Sequence, residues 1–389
     1  MSIVNFSIPT QVYFGVDSLN QLGQIAGNYG KKALLVTGGK STKATGLLDR
    51  VEKLLSESKI EYVLFDKVTP NPLASTVMEG VEVAKEEGCD FLIGLGGGSP
   101  IDAAKSIAFC CVSPGAVTDY FPGEKYAEQG PTGSLPLIAI TTTAGTGTEV
   151  NKVSVITDAE NKRKVGIKST KLYPVAAIVD PAVMLTLPKR ATASTGADAF
   201  YHAMESYLSR NANEFSEIFS LRAMKLVVDY LQRAVRDGSD IEARTKMAWA
   251  NTLAGVCLDN AGTIAIHGTS HPVGALYNGT HGEILCATAP VYLKLHYRDA
   301  VDKCADIAEI LGCDTKGLTR EEAAAKAGEY LEKFLEKIDM KLTLSDIGVT
   351  EDALDKLTKN ALSTMKGALL NSPGTMGYDE MYTLFKAAL

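Results

Sequence analysis

The sequence predicts a doubly wound α/β domain followed by an all-helical domain, and three observations lead to this fold class. Short apolar runs alternate with helix-length segments over the first half of the chain. A run of glycines joins one of these apolar runs to the helical pattern after it. Beyond the Asp180-Pro181 pair the apolar runs fade, and long amphipathic segments dominate.

The apolar runs of the first half predict buried strands of a parallel sheet. Their apolarity is continuous rather than alternating, which is typical of strands covered on both faces. The predicted strands are 33–37, 62–65, 91–95, 137–141 and 176–180. The predicted helices between them are 45–56, 76–86 and 101–111. Ligands of such sheets collect at the carboxyl ends of the strands.

One stretch departs from this alternation and predicts a small antiparallel hairpin. Segments 153–157 and 164–167 are strand-like, and a polar stretch at 158–161 separates them. We expect the hairpin to cover part of the sheet.

The second half predicts a domain built of helices alone. Amphipathic patterns cover 214–237, 241–258, 300–311 and 321–338. Pro188 can stand at the first turn of a helix, so the composition shift near it marks the predicted boundary. The predicted domains are residues 1–186 and 187–389.

Composition narrows the classes of function. The 389 residues are 46% hydrophobic and 22% charged, as in an ordinary globular protein, and the formal net charge is −7. An acidic chain does not favour nucleic-acid binding, which needs a basic face. The N-terminal segment lacks the pattern of a signal peptide, and no run is long and apolar enough to span a membrane. We therefore expect a cytoplasmic protein with a small-molecule substrate, no nucleic-acid partner and no membrane partner.

The seven cysteines do not indicate a disulfide framework or a zinc knuckle. Their number is odd, two of them are adjacent, and no C-x-x-C occurs. We expect free thiols in a reducing compartment, none of them catalytic.

A glycine-rich turn predicts a nucleotide-phosphate site. Gly96, Gly97, Gly98 and Ser99 connect a predicted strand to a helix whose first turn contains Pro100. Glycines let the backbone approach a phosphate closely, and the helix N-terminus offers unpaired N–H groups. The spacing differs from the G-x-G-x-x-G pattern, so the alternative is a tight turn without a ligand.

A second loop carries hydroxyl groups at the end of another predicted strand. It includes Thr141, Thr142 and Thr146, and it could line the same crevice. The alternative is a threonine-rich turn that satisfies its own backbone.

The turn after the first predicted strand bears on the choice between NAD(H) and NADP(H). Gly38 and Gly39 leave space there, and Lys40, Ser41 and Lys43 supply donors, whereas no carboxylate is present in the turn. A carboxylate would repel a 2′-phosphate, so the turn favours NADP(H) over NAD(H). The alternative is a solvated Lys40 and the use of NAD(H).

A clustering of histidines predicts a metal site. Three of the five histidines, His267, His271 and His281, fall within fifteen residues. Upstream, Asp198 and His202 are four residues apart, which places them on one face of a helix. One carboxylate with imidazoles suits Fe²⁺ or Zn²⁺ and leaves a position open for a substrate oxygen. Spacing leaves open which two of the three clustered histidines bind, and the alternative is a helical Asp/His pair beside unrelated core histidines.

Glu205 follows His202 by one helical turn. It could accept a hydrogen bond from the His202 ring and orient it, or it could be a surface glutamate.

These residues together resemble the iron-containing (group III) alcohol dehydrogenase family over nearly the whole chain. The matching motifs are Asn71-Pro72, the glycine-rich 96–102, the 145–147 loop, Asp180-Pro181, the 196–205 segment, and the histidines of 267–271 and 281–282. The resemblance implies a fold with an α/β N-terminal doubly wound parallel-sheet nucleotide-binding domain followed by an all-α metal-binding domain.

The resemblance also implies roles for individual residues. It implies that the metal ligands are Asp198, His202, His267 and His281, and that His271 lies beside the substrate and the nicotinamide without necessarily binding the ion. His271 is our candidate for the proton relay. The resemblance implies cofactor contacts that include Asn71, Asp102 and Lys164, the last reaching the nicotinamide ribose from the hairpin. The full set of predicted cofactor residues is Gly38, Gly39, Lys40, Ser41, Asn71, Gly96, Gly97, Gly98, Ser99, Asp102, Thr141, Thr142, Thr146 and Lys164. Gly38 stands where members that prefer NAD often have Asp, which again favours NADP(H).

The implied activity is reversible hydride transfer between a primary alcohol or diol and NAD(P)⁺, with aldehyde reduction in the reverse direction. Fe²⁺ is the expected ion, with Zn²⁺ as the second candidate, and a homodimer or higher homo-oligomer is the expected assembly. Three alternatives stay open on the sequence alone. They are a zinc polyol dehydrogenase of the glycerol dehydrogenase type, a lyase resembling dehydroquinate synthase, and a nucleotide-binding structural protein without turnover.

Overall fold

The computed structural model describes residues 4–277 and 279–389, and the chain divides into two compact units. Ile8–Thr143 and Gly147–Leu187 form the α/β unit. Pro188–Leu389 forms the helical unit together with Ala144–Thr146 and the described residues up to Ser7. This division differs from the predicted split, 1–186 and 187–389, in the two short segments and in Leu187, which belongs to the α/β unit. Whether residues 1–186 and 187–389 fold as independent domains stays a prediction.

The strands of the α/β unit are, over the described residues, β1 Gln11–Phe14, β2 Lys32–Gly38, β3 Glu61–Val68, β4 Phe91–Gly96, β5 Leu137–Thr141, β6 Val153–Asp158, β7 Arg163–Lys168 and β8 Ala176–Val179. Within the described chain, six of them form one sheet in the order β1-β8-β5-β4-β2-β3, and every pairing in it is parallel. The other two, β6 and β7, form the antiparallel hairpin that the sequence predicts. The doubly wound parallel sheet is thereby confirmed.

The sheet is buried on both faces, as the continuous apolar runs predict. Along β2, Leu34 and Val36 belong to the apolar core on one face, and Ala33 and Leu35 belong to the core on the other. Successive side chains of a strand point to opposite faces. A strand covered on both faces is therefore apolar along its length and does not alternate between apolar and polar residues.

Strand β1 is absent from the sequence prediction. It has four residues at the edge of the sheet, where it pairs only with β8 over the described chain, and Gln11 is exposed. A short, partly exposed edge strand lacks the long apolar run that reveals the inner strands.

The helices of the α/β unit are α1 Leu22–Ala26, α2 Ser41–Ala44, α3 Leu47–Glu57, α4 Ala74–Glu86 and α5 Gly98–Val112. The single helix predicted at 45–56 begins later than expected, because the chain bends at Gly46. Gly46 has φ +71°, a left-handed conformation that favours glycine.

The helices of the helical unit are α6 Lys189–Leu208, α7 Glu214–Arg236, α8 Ile241–Ala261, α9 Ala265–Tyr277, α10 His281–His296, α11 Val301–Ile310, α12 Arg320–Ala324, α13 Ala327–Glu336, α14 Leu354–Thr364, α15 Lys366–Asn371 and α16 Tyr378–Ala387. No β-strand occurs among the described residues of this unit. The predicted helix at 321–338 is divided into α12 and α13. Lys326 N donates to Ala323 O, a three-residue spacing that tightens the chain between them.

Helix α6 is the central element of the helical unit. Apart from Thr195, all its residues from Thr192 to Leu208 are buried. Helices α7, α8 and α10 pack against it. Because α6 is buried on all sides, its polar side chains are shielded from water.

Among the described residues, no helix combines the length and the apolarity needed to cross a bilayer.

Candidate active site

Helix α6 brings the predicted carboxylate and imidazole to one buried position. Asp198 and His202 are 4% and 6% exposed, and Asp198 Oδ1 lies 3.7 Å from His202 Nδ1. The four-residue spacing thus gives the shared face that the sequence predicts.

Two further histidines converge on the same carboxylate oxygen. His267 Nε2, from the first turn of α9, lies 3.6 Å from Asp198 Oδ1. His281 Nε2, from the first residue of α10, lies 3.6 Å from it as well. Over the described residues, Asp198, His267 and His281 offer ligand atoms that all lie within 4.8 Å of one another. The spacing left the choice among the three clustered histidines open, and the structure brings this pair together.

The atoms of this cluster have the properties of metal ligands. Asp198 Oδ1 and His267 Nε2 are buried, and neither has a hydrogen-bond partner within the described chain. A buried polar atom without a partner is costly, and a bound cation would satisfy both atoms. One carboxylate oxygen and two imidazole nitrogens fit a divalent ion of the iron or zinc type.

Glu205 holds His267 and the N-terminus of α9. Its Oε1 accepts from His267 Nδ1 at 2.5 Å, and its Oε2 accepts from the backbone N–H groups of Ile264 and His267 at 2.8 and 3.2 Å. Because a carboxylate accepts and does not donate, Nδ1 carries the hydrogen and Nε2 is directed to the cluster. Glu205 is fully buried, so the surface alternative is wrong. Its partner is His267, whereas we expected His202.

The electrostatics of the cluster favour a positive charge. Burial would raise the pKa of Asp198, but His202, His281 and His267 together hold that pKa well below its usual range. Burial would lower the pKa of His267, but Glu205 and Asp198 raise it to about 9. Two buried carboxylates therefore keep a proton on His267 when no other cation is present, and a divalent ion would replace that proton.

His202 has a different partner. Its Nδ1 lies 3.2 Å from Gly145 O, and its ring stacks on the His267 ring with centroids 4.6 Å apart. Burial lowers the pKa of His202. Its role as a fourth ligand stays a prediction, since the mutually close group comprises the other three residues.

His271 lies next to the cluster without joining it. It follows His267 by four residues on α9 and is partly exposed, and its ring centroid is 6.4 Å from that of His281. This position agrees with the implied separation of His271 from the ligands.

The α/β unit contains a cleft of about 600 Å³ at the carboxyl ends of β2, β3 and β4. Chain order reverses between β2 and β4, because the chain passes from β2 to β3 on one side and then returns to β4 on the other. Ligands of doubly wound sheets bind at such a switch point. The cleft is lined by Gly38, Gly39, Lys40, Ser41, Gly96, Gly97, Gly98 and Ser99 from the predicted set.

The glycine-rich turn has the geometry that close phosphate approach requires. Gly96 has φ +148°, and a Cβ on it would lie 2.7 Å from Pro100 Cγ. Helix α5 begins at Gly98, so Gly98 and Ser99 stand in its first turn with N–H groups available at the cleft.

Several other predicted cofactor residues lie outside the lining of this cleft. Asn71 has φ +57°, and its Oδ1 accepts from Lys164 Nζ of β7 at 2.9 Å. The Asp102 carboxylate accepts from Thr148 Oγ1 and from Val155 N.

The threonine loop divides between the two units. Thr141 is buried at the end of β5 and donates to Thr143 O. Thr142 also belongs to the α/β unit, whereas Thr146 belongs to the helical unit. The cofactor roles of Asn71, Asp102, Lys164 and these threonines stay predictions.

Asp66 lines the cleft and was missed by the sequence reasoning. It lies near the carboxyl end of β3, beside β2, and its carboxylate forms an ion pair with Lys43 Nζ. The preference for NADP(H) was predicted from the turn after β2 alone. The neighbouring parallel strand supplies the carboxylate that this turn lacks, and it opposes the charge of one lysine that was counted as a phosphate donor. The signal was available, since Asp66 directly follows a predicted strand.

A dinucleotide-type cleft in a doubly wound sheet and a buried carboxylate-imidazole cluster in a helical unit define a class of metal-containing, nucleotide-linked oxidoreductases. The model of the iron-containing alcohol dehydrogenase family matches residues 9–181, and that of the family's C-terminal domain matches residues 192–389. The chain belongs to the iron-containing alcohol dehydrogenase family.

Individual relatives agree with this assignment. The NAD-dependent methanol dehydrogenase of Bacillus methanolicus is 36% identical, covering 92% of this chain and 93% of the relative. The 1,3-propanediol dehydrogenase of Klebsiella pneumoniae is 34% identical, covering 99% of this chain and 98% of the relative. A solved 1,3-propanediol oxidoreductase has a TM-score of 0.95 at 33% identity, with full coverage of both chains.

The resemblance stated from the sequence motifs is thereby confirmed. The protein is an oxidoreductase that acts on the CH–OH group of alcohols, and the polyol dehydrogenase, lyase and structural-protein alternatives are not favoured.

Proposed function

We propose that this alcohol dehydrogenase transfers a hydride reversibly between a primary alcohol or diol and a nicotinamide dinucleotide. The observation that carries the proposal is the convergence of His267 Nε2 and His281 Nε2 on Asp198 Oδ1, each at 3.6 Å, in a cluster where Asp198 and His267 are buried. The relatives named for methanol and 1,3-propanediol support short alcohols and diols as the substrate class.

Asp198, His202, His267 and His281 would hold the divalent ion. Fe²⁺ is proposed because of the family, and Zn²⁺ is the second candidate because the same donor atoms bind it. Bound there, the ion would supply Lewis-acid chemistry at the alcohol oxygen, and the dinucleotide would accept the hydride. Glu205 keeps the His267 ring in the orientation that directs Nε2 to the ion.

His271 is proposed as the proton relay. It is partly exposed and adjacent to His281, so it can exchange a proton between the alcohol and water. His271 is not one of the three residues of the mutually close group.

The dinucleotide is proposed to bind in the cleft of the α/β unit, with its pyrophosphate at Gly97, Gly98 and Ser99. The preference for NADP(H) over NAD(H) now depends on Lys40, Ser41 and the space at Gly38, while Asp66 acts in the opposite direction. The name of the Bacillus methanolicus relative favours NAD(H). We propose that both cofactors are accepted, and that Asp66 limits the preference for NADP(H).

The assembly, the location and the partners of the protein are proposed as well. We propose a cytoplasmic homodimer or higher homo-oligomer that acts on small-molecule alcohols and aldehydes. Sedimentation analysis of the purified protein tests the assembly, and a single-chain mass would contradict it.

A steady-state panel tests the function. Metal-free protein is reconstituted with Fe²⁺, Zn²⁺ or Mn²⁺ and assayed with short alcohols, diols and aldehydes, each with NAD(H) and NADP(H). We expect net reduction of the dinucleotide by at least one primary alcohol or diol, dependent on added metal. Turnover that is independent of metal, or tight dinucleotide binding without net reduction, would contradict the proposal.

A further inference from the structure

Gly145 contacts a proposed metal ligand through its carbonyl group. The His202 ring approaches Gly145 O with Nδ1 at 3.2 Å. A carbonyl oxygen only accepts hydrogen bonds, so Nδ1 carries the hydrogen and Nε2 of the neutral ring keeps its lone pair. The position of the Gly145 carbonyl therefore selects the nitrogen of His202 that is available to an ion.

Gly145 is fixed on its other side by Asn251. The Gly145 N–H donates to Asn251 Oδ1 at 2.6 Å, and Asn251 is fully buried on α8. The glycine also packs directly on α6, since a Cβ on it would lie 2.7 Å from both Thr195 Cβ and Thr195 O. Asn251 thus holds the amide of Gly145, and the carbonyl of the same glycine contacts the His202 ring.

We propose that Asn251 is a positioning residue of the metal centre, which acts through Gly145 to fix the orientation of His202. This inference rests on the proposed role of His202 as a ligand. Asn251 itself contacts neither ion nor substrate in this arrangement. Outer partners of metal-bound histidines typically change affinity by about 10- to 100-fold when removed, and we expect about tenfold here because Asn251 acts through one further group.

The same helix offers a matched control. Asn260 of α8 accepts from a backbone amide in the same way, with Ser7 N donating to its Oδ1 at 2.9 Å. That bond holds the N-terminal segment, and the Asn260 side-chain amide donates to the carbonyl groups of Ser7 and Val256. A general effect of replacing a hydrogen-bonded asparagine on α8 would therefore appear at both positions, whereas only Asn251 contacts Gly145, the partner of His202.

The experiment measures Co²⁺ binding and its visible absorption spectrum, which reports the geometry of the ligands, in the full-length protein. Asn251→Leu removes the acceptor at similar volume, Asn251→Asp retains an acceptor oxygen, and Asn260→Leu is the control. We expect Co²⁺ affinity to fall about tenfold with an altered spectrum in N251L, to recover in N251D, and to stay unchanged in N260L.

Wild-type affinity and spectrum in folded N251L would overturn the inference. If N251L does not fold, Asn251→Ser takes its place, because its shorter hydroxyl cannot reach the Gly145 amide from the same backbone position. His202→Ala separates this inference from the proposed function. Loss of affinity in H202A with wild-type behaviour of N251L refutes only the role of Asn251, whereas unchanged affinity in H202A refutes His202 as a ligand.

Discussion

His267 Nδ1 lies 2.5 Å from Glu205 Oε1, and Glu205 is fully buried. The same carboxylate accepts two backbone N–H groups at the N-terminus of α9, so one side chain fixes both the ring and the start of the helix that carries it.

Replacing the Glu205 carboxylate by an amide should weaken metal binding. We expect Glu205→Gln to lower metal affinity by about 10- to 100-fold, because the amide is a weaker acceptor and no longer fixes the charge state of His267. Titration of the metal-free protein with Zn²⁺ measures the effect. Glu217→Gln on α7, where a partly exposed carboxylate pairs with Lys303 Nζ, serves as the control. Equal affinity in the Glu205 and Glu217 variants would show that the hydrogen bond has no influence on the ion.

His271 should be separable from the ligands by experiment. We expect His271→Gln to keep its metal but to lose about 100-fold in kcat, and its kcat should respond less to pH, since the proton relay is removed. His281→Ala should lose metal and turnover together. Metal content by elemental analysis and a pH profile of kcat distinguish the two variants. An H271Q variant that lacks metal would identify His271 as a ligand instead.

Asp66 should limit the preference for NADP(H). Asp66→Asn removes the negative charge at the cleft and frees Lys43 to contact a 2′-phosphate. We expect kcat/KM with NADP⁺ to rise about tenfold relative to that with NAD⁺, equivalent to about 1.4 kcal/mol. Asp49→Asn, in the first turn of α3 and outside the cleft, is the control. An unchanged ratio in D66N would remove Asp66 from cofactor selection.

Lys105 should stabilise the α/β unit. Its Nζ is buried and donates to Thr148 Oγ1, Asn151 O, Asn151 Oδ1 and Val153 O at 2.7 to 3.0 Å. We expect Lys105→Met to lower the free energy of unfolding by about 3 kcal/mol, because these buried acceptors lose their donor. Lys53→Met on the exposed face of α3 should change it by less than about 0.5 kcal/mol. Denaturant unfolding measures both variants, and equal stability would contradict the role of Lys105.

The features that the sequence revealed are those with a local pattern. The inner strands were predictable because a strand covered on both faces must be apolar along its length, as in β4. Asp198 and His202 were predictable because four residues make one helical turn. Local patterns cannot show which distant residues meet.

The hydrogen-bond partners of the proposed ligands illustrate that limit. Glu205 is one turn from His202 in sequence but bonds to His267, 62 residues away. Gly145 and Asn251 are 106 residues apart. Asp66 reaches the cleft proposed for the dinucleotide because β3 pairs with β2, and that pairing depends on the sheet order rather than on spacing along the chain.

The most direct test of the account is a metal titration of the wild-type protein and of His267→Ala, followed by the rate of NAD(P)⁺ reduction with a primary alcohol. We expect wild-type protein to gain about one ion per chain and to gain activity in proportion, and we expect H267A to gain neither. Full activity in H267A, or activity in wild-type protein that does not depend on bound metal, would contradict the assignment of this cluster as the catalytic metal site.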